Sequence, residues 1–239
     1  MNIYNRATVN SSQQTQVETA RFMTRVYAWM STGILLTGAV SYYVASSREL
    51  MMSLMQNHFL FYVLIGLELG AVVFLMAMIN KISSVTATFL YLAYAALTGV
   101  TLSVIFLIYT KESITQVFAL TSFAFGGLSA FGLITKRDLG PLGAFCSMGL
   151  WGLIGYGLIS MFFPAWIDTP FDKAMSSIGV LVFAGLTAYD TQKIKALSRR
   201  GGEGSDEDRK GAIVGAMILY LDFINLFLQL LKLMGKKRD

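Results

Sequence analysis

From Ser31 to Phe223 the chain alternates long apolar blocks with short polar breaks. A block of roughly 20 residues, rising 1.5 Å per residue as a helix, covers the roughly 30 Å hydrocarbon core of a bilayer. The pattern predicts seven such spans, near Val26–Ser46, His58–Ile79, Val85–Ile108, Ile114–Thr135, Leu142–Phe163, Met175–Ile194 and Gly211–Leu233. The expected fold class is an all-α integral membrane protein, a seven-transmembrane-helix bundle. Connections this short leave no room for a soluble domain. The longest, Arg199–Lys210, is dense in charge and glycine and is expected to be a solvated loop. Residues 1–24 are polar and lack an apolar core, so no cleavable signal is visible and the first span is expected to direct insertion. The organisation expected is a polar N-terminal segment, 1–24, followed by a transmembrane domain, 25–239.

Composition agrees with this reading. The chain is 55% hydrophobic and only 14% charged, with a mean hydropathy of +0.59, whereas soluble domains carry about 25% charged residues. The charges are also sorted. With the N-terminus on the cytoplasmic side, Arg6, Arg21, Arg25, Lys81, Lys136, Arg137, Lys193, Lys195, Arg199, Arg200, Arg209 and Lys210 fall together there, against Arg48, Lys111 and Lys173 opposite. This is the positive-inside pattern. Lys232, Lys236, Lys237 and Arg238 depart from it if the last span crosses. The net charge of +5 is thus accounted for by topology, and the sequence lacks the basic face interleaved with aromatics that nucleic-acid binding requires. A single cysteine, Cys146, excludes an intramolecular disulfide and a cysteine-rich metal site.

Ionisable residues inside spans are costly and point to function. Glu68, Asp190 and Asp222 stand out. On α-helical spacing Thr187, Asp190 and Thr191 share one face, as do Asp222, Asn225 and Gln229, so two polar stripes are expected that can face each other. The structural alternative is interhelical hydrogen-bond glue. Glu68 has no polar neighbour on its own helix. The lone His58 marks the start of a span and lacks partners for a metal site. Gly66-x-x-x-Gly70, Gly211-x-x-x-Gly215 and the glycines of 149–157 are expected to let helices approach closely.

Enzymatic readings fail on specifics. Gly155-Tyr-Gly157 lacks the context of a dinucleotide loop, and an EF-hand register from Asp206 places Lys210 and Met217 at ligand positions. Tyr189-Asp190 is similar to one motif of intramembrane aspartyl proteases, but no Gly-x-Gly precedes Asp222 and no Pro-Ala-Leu segment exists. The last span has no mid-helix lysine for a retinal Schiff base. The chain is expected not to be an enzyme and to need no cofactor.

Ala188-Tyr-Asp-Thr-Gln192 and Tyr220-Leu-Asp-Phe-Ile-Asn-Leu-Phe227 resemble the transmembrane Bax inhibitor motif family in its bacterial branch. The likeness extends from Arg25 onward and takes in Leu97–Ser103 and Lys136–Leu139. It implies a seven-helix fold with the last helix central, in a bacterial inner membrane. It also implies a pH-sensitive calcium leak in which Asp190 and Asp222 share a proton and transiently ligate the ion, with calcium as cargo. Glu68 falls on an acidic position of the cation path. At the end of that helix Ile79-Asn80 stands where some relatives have an arginine that holds the pair. The alternative function is a regulatory protein that modulates a membrane-bound AAA protease through its N-terminal segment.

The residues by themselves allow the leak mechanism, because two carboxylates in contact cannot both ionise cheaply. Protonated, they staple two helices; ionised, they repel and offer oxygen ligands to a hard cation. One geometric demand follows. Asp190 lies about 8 Å from the end of its predicted helix and Asp222 about 16 Å into the next, so the last helix must project or tilt to bring them level.

Overall fold

A computed structural model describes residues 3–163, 169–198 and 204–238, without the side chains of residues 3–14, 58, 161 and 169. Residues 199–203 of the expected loop and the His58 side chain therefore lie outside the described residues. Among the described residues the helices are α1 (Ile3–Ser46), α2 (Arg48–Gln56), α3 (His58–Met78), α4 (Ser84–Leu102), α5 (Ile105–Ile108), α6 (Lys111–Ile134), α7 (Gly140–Phe162), α8 (Thr169–Leu197) and α9 (Asp206–Met234). No strand occurs among them; the one sheet-like pairing is an isolated bridge between Tyr109 and Lys237. Helices dominate because a backbone in hydrocarbon must satisfy its hydrogen bonds within its own segment.

Six helical stretches among the described residues are long and apolar enough to cross a membrane. They correspond to six of the seven expected spans. The first expected span, Val26–Ser46, is helical within α1, but Ser31, Thr32, Thr37, Ser41, Tyr42 and Tyr43 dilute its apolar character, and it is not among the six. The third breaks into α4 and α5 at Ser103, whose hydroxyl donates to the Val100 carbonyl at 2.6 Å. Helix α2 was not foreseen; it starts at Ser47, whose hydroxyl accepts from Leu50 N.

The expected solvated loop needs correction. Residues 206–210 are the first turns of α9, with Ser205 accepting from the Asp208 amide at 3.1 Å and three acids in the first turn. Such a cap and such charges favour a helix start. Asp208 is buried rather than solvated. The turn before it uses Gly204 at φ 78°, a conformation that glycine adopts at no steric cost.

The chain divides into two compact units, Met1–Ser103 with Lys193–Ile218, and Val104–Gln192 with Leu219–Asp239. In the first, α1 and α3 pack on α4. The Tyr91 hydroxyl donates to Trp29 O at 3.0 Å and the Thr37 hydroxyl donates to Ala95 O at 2.8 Å. Gly99 sits where a Cβ would come within 2.8 Å of the Thr37 carbonyl, so the Leu97–Ser103 segment serves a backbone approach. The start of α9 is held to this unit by ions: Arg25 meets Asp208 at 2.7 Å, and Asp206 accepts from the Ser84 amide opening α4 while pairing with Lys210 at 2.8 Å.

In the second unit α9 is stacked on α6 through edge-to-face rings, Phe223 lying 5.5 Å from both Phe118 and Phe125. Glycines seat the other helices. A Cβ on Gly143 would meet the Tyr189 ring, one on Gly149 would meet Val182, and one on Gly185 would meet Cys146. The expected Gly66-x-x-x-Gly70 pair does not work this way, since a Cβ at either position meets nothing within 4 Å, and the same holds for Gly152, Gly155 and Gly157. Those positions face outward among exposed apolar side chains such as Leu67, Leu69 and Trp151, the surface that lipid covers. The chain end is also fixed here: Thr110 N donates to Lys236 O at 3.1 Å and Arg238 N to Ile108 O at 2.9 Å.

Candidate functional site

Asp222 lies midway along α9, the most enclosed of the six apolar helices: 67% of its most apolar stretch is buried, against 6% for α3. Its neighbours Leu219 and Tyr220 are fully buried. Asp222 itself is 5% exposed, and its Oδ2 is without a hydrogen-bond partner among the described residues. The half-buried Asp190 of α8 stands within direct electrostatic reach. Asp190 lies seven residues before the end of α8 and Asp222 sixteen residues after the start of α9, so where the two acids come within reach α9 projects beyond the end of α8 by about 14 Å.

Five contacts fix the turn of α8 that carries Asp190. Thr191 and Ser129 of α6 share a hydrogen bond of 3.0 Å. Gly132 of α6 touches the Ala188 carbonyl so closely that no Cβ fits. Tyr189 fills the space beside Gly143 of α7. The Gln192 amide then ties the connection between α6 and α7 to α8, accepting from Leu139 N at 3.0 Å and donating to Arg137 O at 2.9 Å.

The two expected stripes do not simply face each other. Thr191 turns to α6, Thr187 donates to its own helix at Phe183 O, and Asn225 donates to Leu221 O, also in its own helix. Gln229 does reach across, filling the space of the missing Gly179 Cβ. Of the residues foreseen, Asp222 and Gln229 therefore look across to α8, at Asp190 and at Gly179, Thr191 bonds to α6, and Thr187 and Asn225 bond within their own helices.

Glu68 is described within the first unit alone. It is half-buried, its Oε1 accepts from the Thr101 hydroxyl at 2.7 Å, and Tyr94 lies within reach of its charge. Sequence reasoning missed this partner, although Thr101 belongs to the quoted Leu97–Ser103 segment. It also missed the pairing of Arg25 with Asp208; Asp208 lines a cavity of about 500 Å³ together with Phe22, Ile79, Asn80, Leu197, Glu207, Lys210 and Val214. Ile79 and Asn80 thus line a cavity in the first unit. Among the described residues no three His, Cys, Asp or Glu side chains are grouped to hold a metal ion.

Outward apolar helices, with a buried carboxylate on one of them facing a half-buried one on its neighbour, define an all-helical integral membrane protein. The chain belongs to the family described as inhibitor of apoptosis-promoting Bax1, whose model matches residues 19–239. It is 43% identical over 219 residues to the inner membrane protein YbhL of Escherichia coli K12, covering 91% of this chain and 92% of that one. An uncharacterized protein of Borreliella burgdorferi is 39% identical, covering 92% of this chain and 93% of its own. An uncharacterized membrane protein of Streptococcus pyogenes is 32% identical over 93% of this chain and 96% of its own.

Proposed function

We propose that the protein is a pH-sensitive cation leak of a bacterial inner membrane, with calcium as cargo, no resident cofactor and no catalysed reaction. The observation that carries this reading is the Asp190–Asp222 pair, with one Asp222 oxygen buried and unpartnered. A bare charge there would lack both solvent and donor, so a proton shared by the two carboxyls is the inexpensive state. In that state α8 and α9 are stapled. As pH rises the proton is lost, two negative charges repel, and their oxygens become ligands for a hard divalent ion. Flux therefore increases with pH. Glu68 is a further carboxylate station for the cation, kept hydrogen-bonded by Thr101.

The proposal places the N-terminus in the cytoplasm, because the basic residues segregate there, with α1 crossing as the seventh span and α9 as the central helix. The heavy burial of α9 supports the last point. The test is calcium entry into proteoliposomes holding the purified protein alone. Wild type should leak slowly in acid and faster as pH rises; flux independent of pH removes the shared proton.

A second reading, regulation of a membrane-bound AAA protease, draws on α1. At 44 residues the helix is about 66 Å long, more than twice the hydrocarbon thickness. Its polar first half extends past any span and offers a handle to a partner. A regulator changes protease turnover in a reconstituted pair and passes no ion by itself.

A further inference from the structure

Asp172 opens the far end of α8, five turns and about 27 Å from Asp190 on the same helical face. Gly179 lies on that face between them, and Gln229 of α9 fills the space of its missing Cβ, with Cδ 2.6 Å from where that atom would stand. Between this level and the aspartate pair Phe183 and Leu226 close the seam in one buried apolar cluster. Beyond it the seam ends in charge. Asp172 Oδ1 accepts from the Tyr156 hydroxyl of α7 at 2.7 Å and faces Lys232 Nζ of α9 at 3.9 Å, with Tyr109 also within its electrostatic reach. Both charged side chains are about half exposed, at 43% and 48%.

We infer that Asp172 is a second ionic station for the permeating divalent cation, at the opposite mouth of the α8–α9 seam, where Lys232 opposes cation entry. Tyr156 occupies one oxygen and aims the carboxylate, and Oδ2 remains available as a ligand. Lys232 sits too far for a tight hydrogen bond, so an arriving dication can displace it rather than having to break a locked pair. Gln229 supplies the neutral polar step between this mouth and Asp222. The inference rests on the leak reading above and adds to it a charge filter distinct from the proton-sensing pair.

Calcium flux into proteoliposomes, measured at one alkaline and one acid pH and compared at the alkaline pH for wild type, Lys232→Gln and Asp172→Asn, tests it. Lys232→Gln should raise flux about threefold and Asp172→Asn should lower it about threefold, the modest size reflecting solvent screening at a half-exposed site. Both should keep the wild-type dependence on pH, because the buried pair is intact. Asn retains an acceptor for Tyr156, and melting temperatures within a degree or so of wild type identify folded variants. Equal flux in all three, or a change of the same sign in both variants, overturns the second station while leaving the proton pair standing. A wild type without divalent flux at any pH sinks the leak reading itself, and this inference with it.

Discussion

Asp222 and Glu68 are both carboxylates in membrane-length helices, and the protein treats them in opposite ways. Glu68 is half-buried on α3, and a hydroxyl donor from α4 stands 2.7 Å away. Asp222 is 5% exposed on the most enclosed helix, next to a second acid, with one oxygen orphaned. A donor on one side stabilises a charge and leaves it a charge. An acid neighbour inside a closed seam makes the charge conditional on a proton. The first arrangement suits a standing ligand for cations and the second a switch, and Asp208 adds a third solution, a buried carboxylate answered by Arg25 at 2.7 Å.

Breaking the switch should give the largest effect. With Asp222→Asn or Asp190→Asn the remaining carboxylate meets an amide donor and no like charge, so the ratio of calcium flux at alkaline to acid pH should fall to about one. Absolute leak can move either way in these variants; the slope decides. Single Asn variants with the full wild-type response exclude the shared proton.

Removing the cation from the third carboxylate should register in stability. Arg25→Gln leaves Asp208 with the Gly204 amide and no full charge opposite, a loss of about 2–3 kcal/mol, below the range for fully buried pairs because Arg25 is partly solvated. Detergent-phase thermal melts measure it, and an unchanged melting temperature refutes the tether. At Glu68 the donor is the sensitive part: Thr101→Val should cost about 1.5 kcal/mol by taking a hydrogen bond from a charged group, visible in the same melts.

Smallest of all is Glu68→Gln. It keeps an acceptor for Thr101 and the side-chain size, so the protein should fold normally with divalent flux lowered about twofold and the pH slope unchanged. A flattened slope would merge Glu68 with the switch and erase the contrast between the two acids.

The sequence itself determined the all-helical membrane class, the presence and approximate positions of six long apolar helices and the singling out of Asp190, Asp222 and Glu68. Hydrophobic block length and the cost of a charge in lipid are local quantities, and each can be read residue by residue. Hence, too, the family likeness was legible in Tyr220–Phe227, since those side chains sit together along one helix. What the helix pattern could not contain was azimuth. Thr191 turned to Ser129 and Gln192 to the Leu139 amide, while Gly143 and Gly179 became seats for Tyr189 and Gln229 as Gly66 and Gly70 faced outward. The charged stretch at 206–210 joined α9 because Arg25 and Ser84, distant in sequence, supplied partners for its acids. Pairwise contacts between helices depend on how each is rotated about its axis. That rotation is settled by the packing of all neighbours at once, so only the tertiary structure decided which carboxylate found a donor, which found a cation and which found another acid.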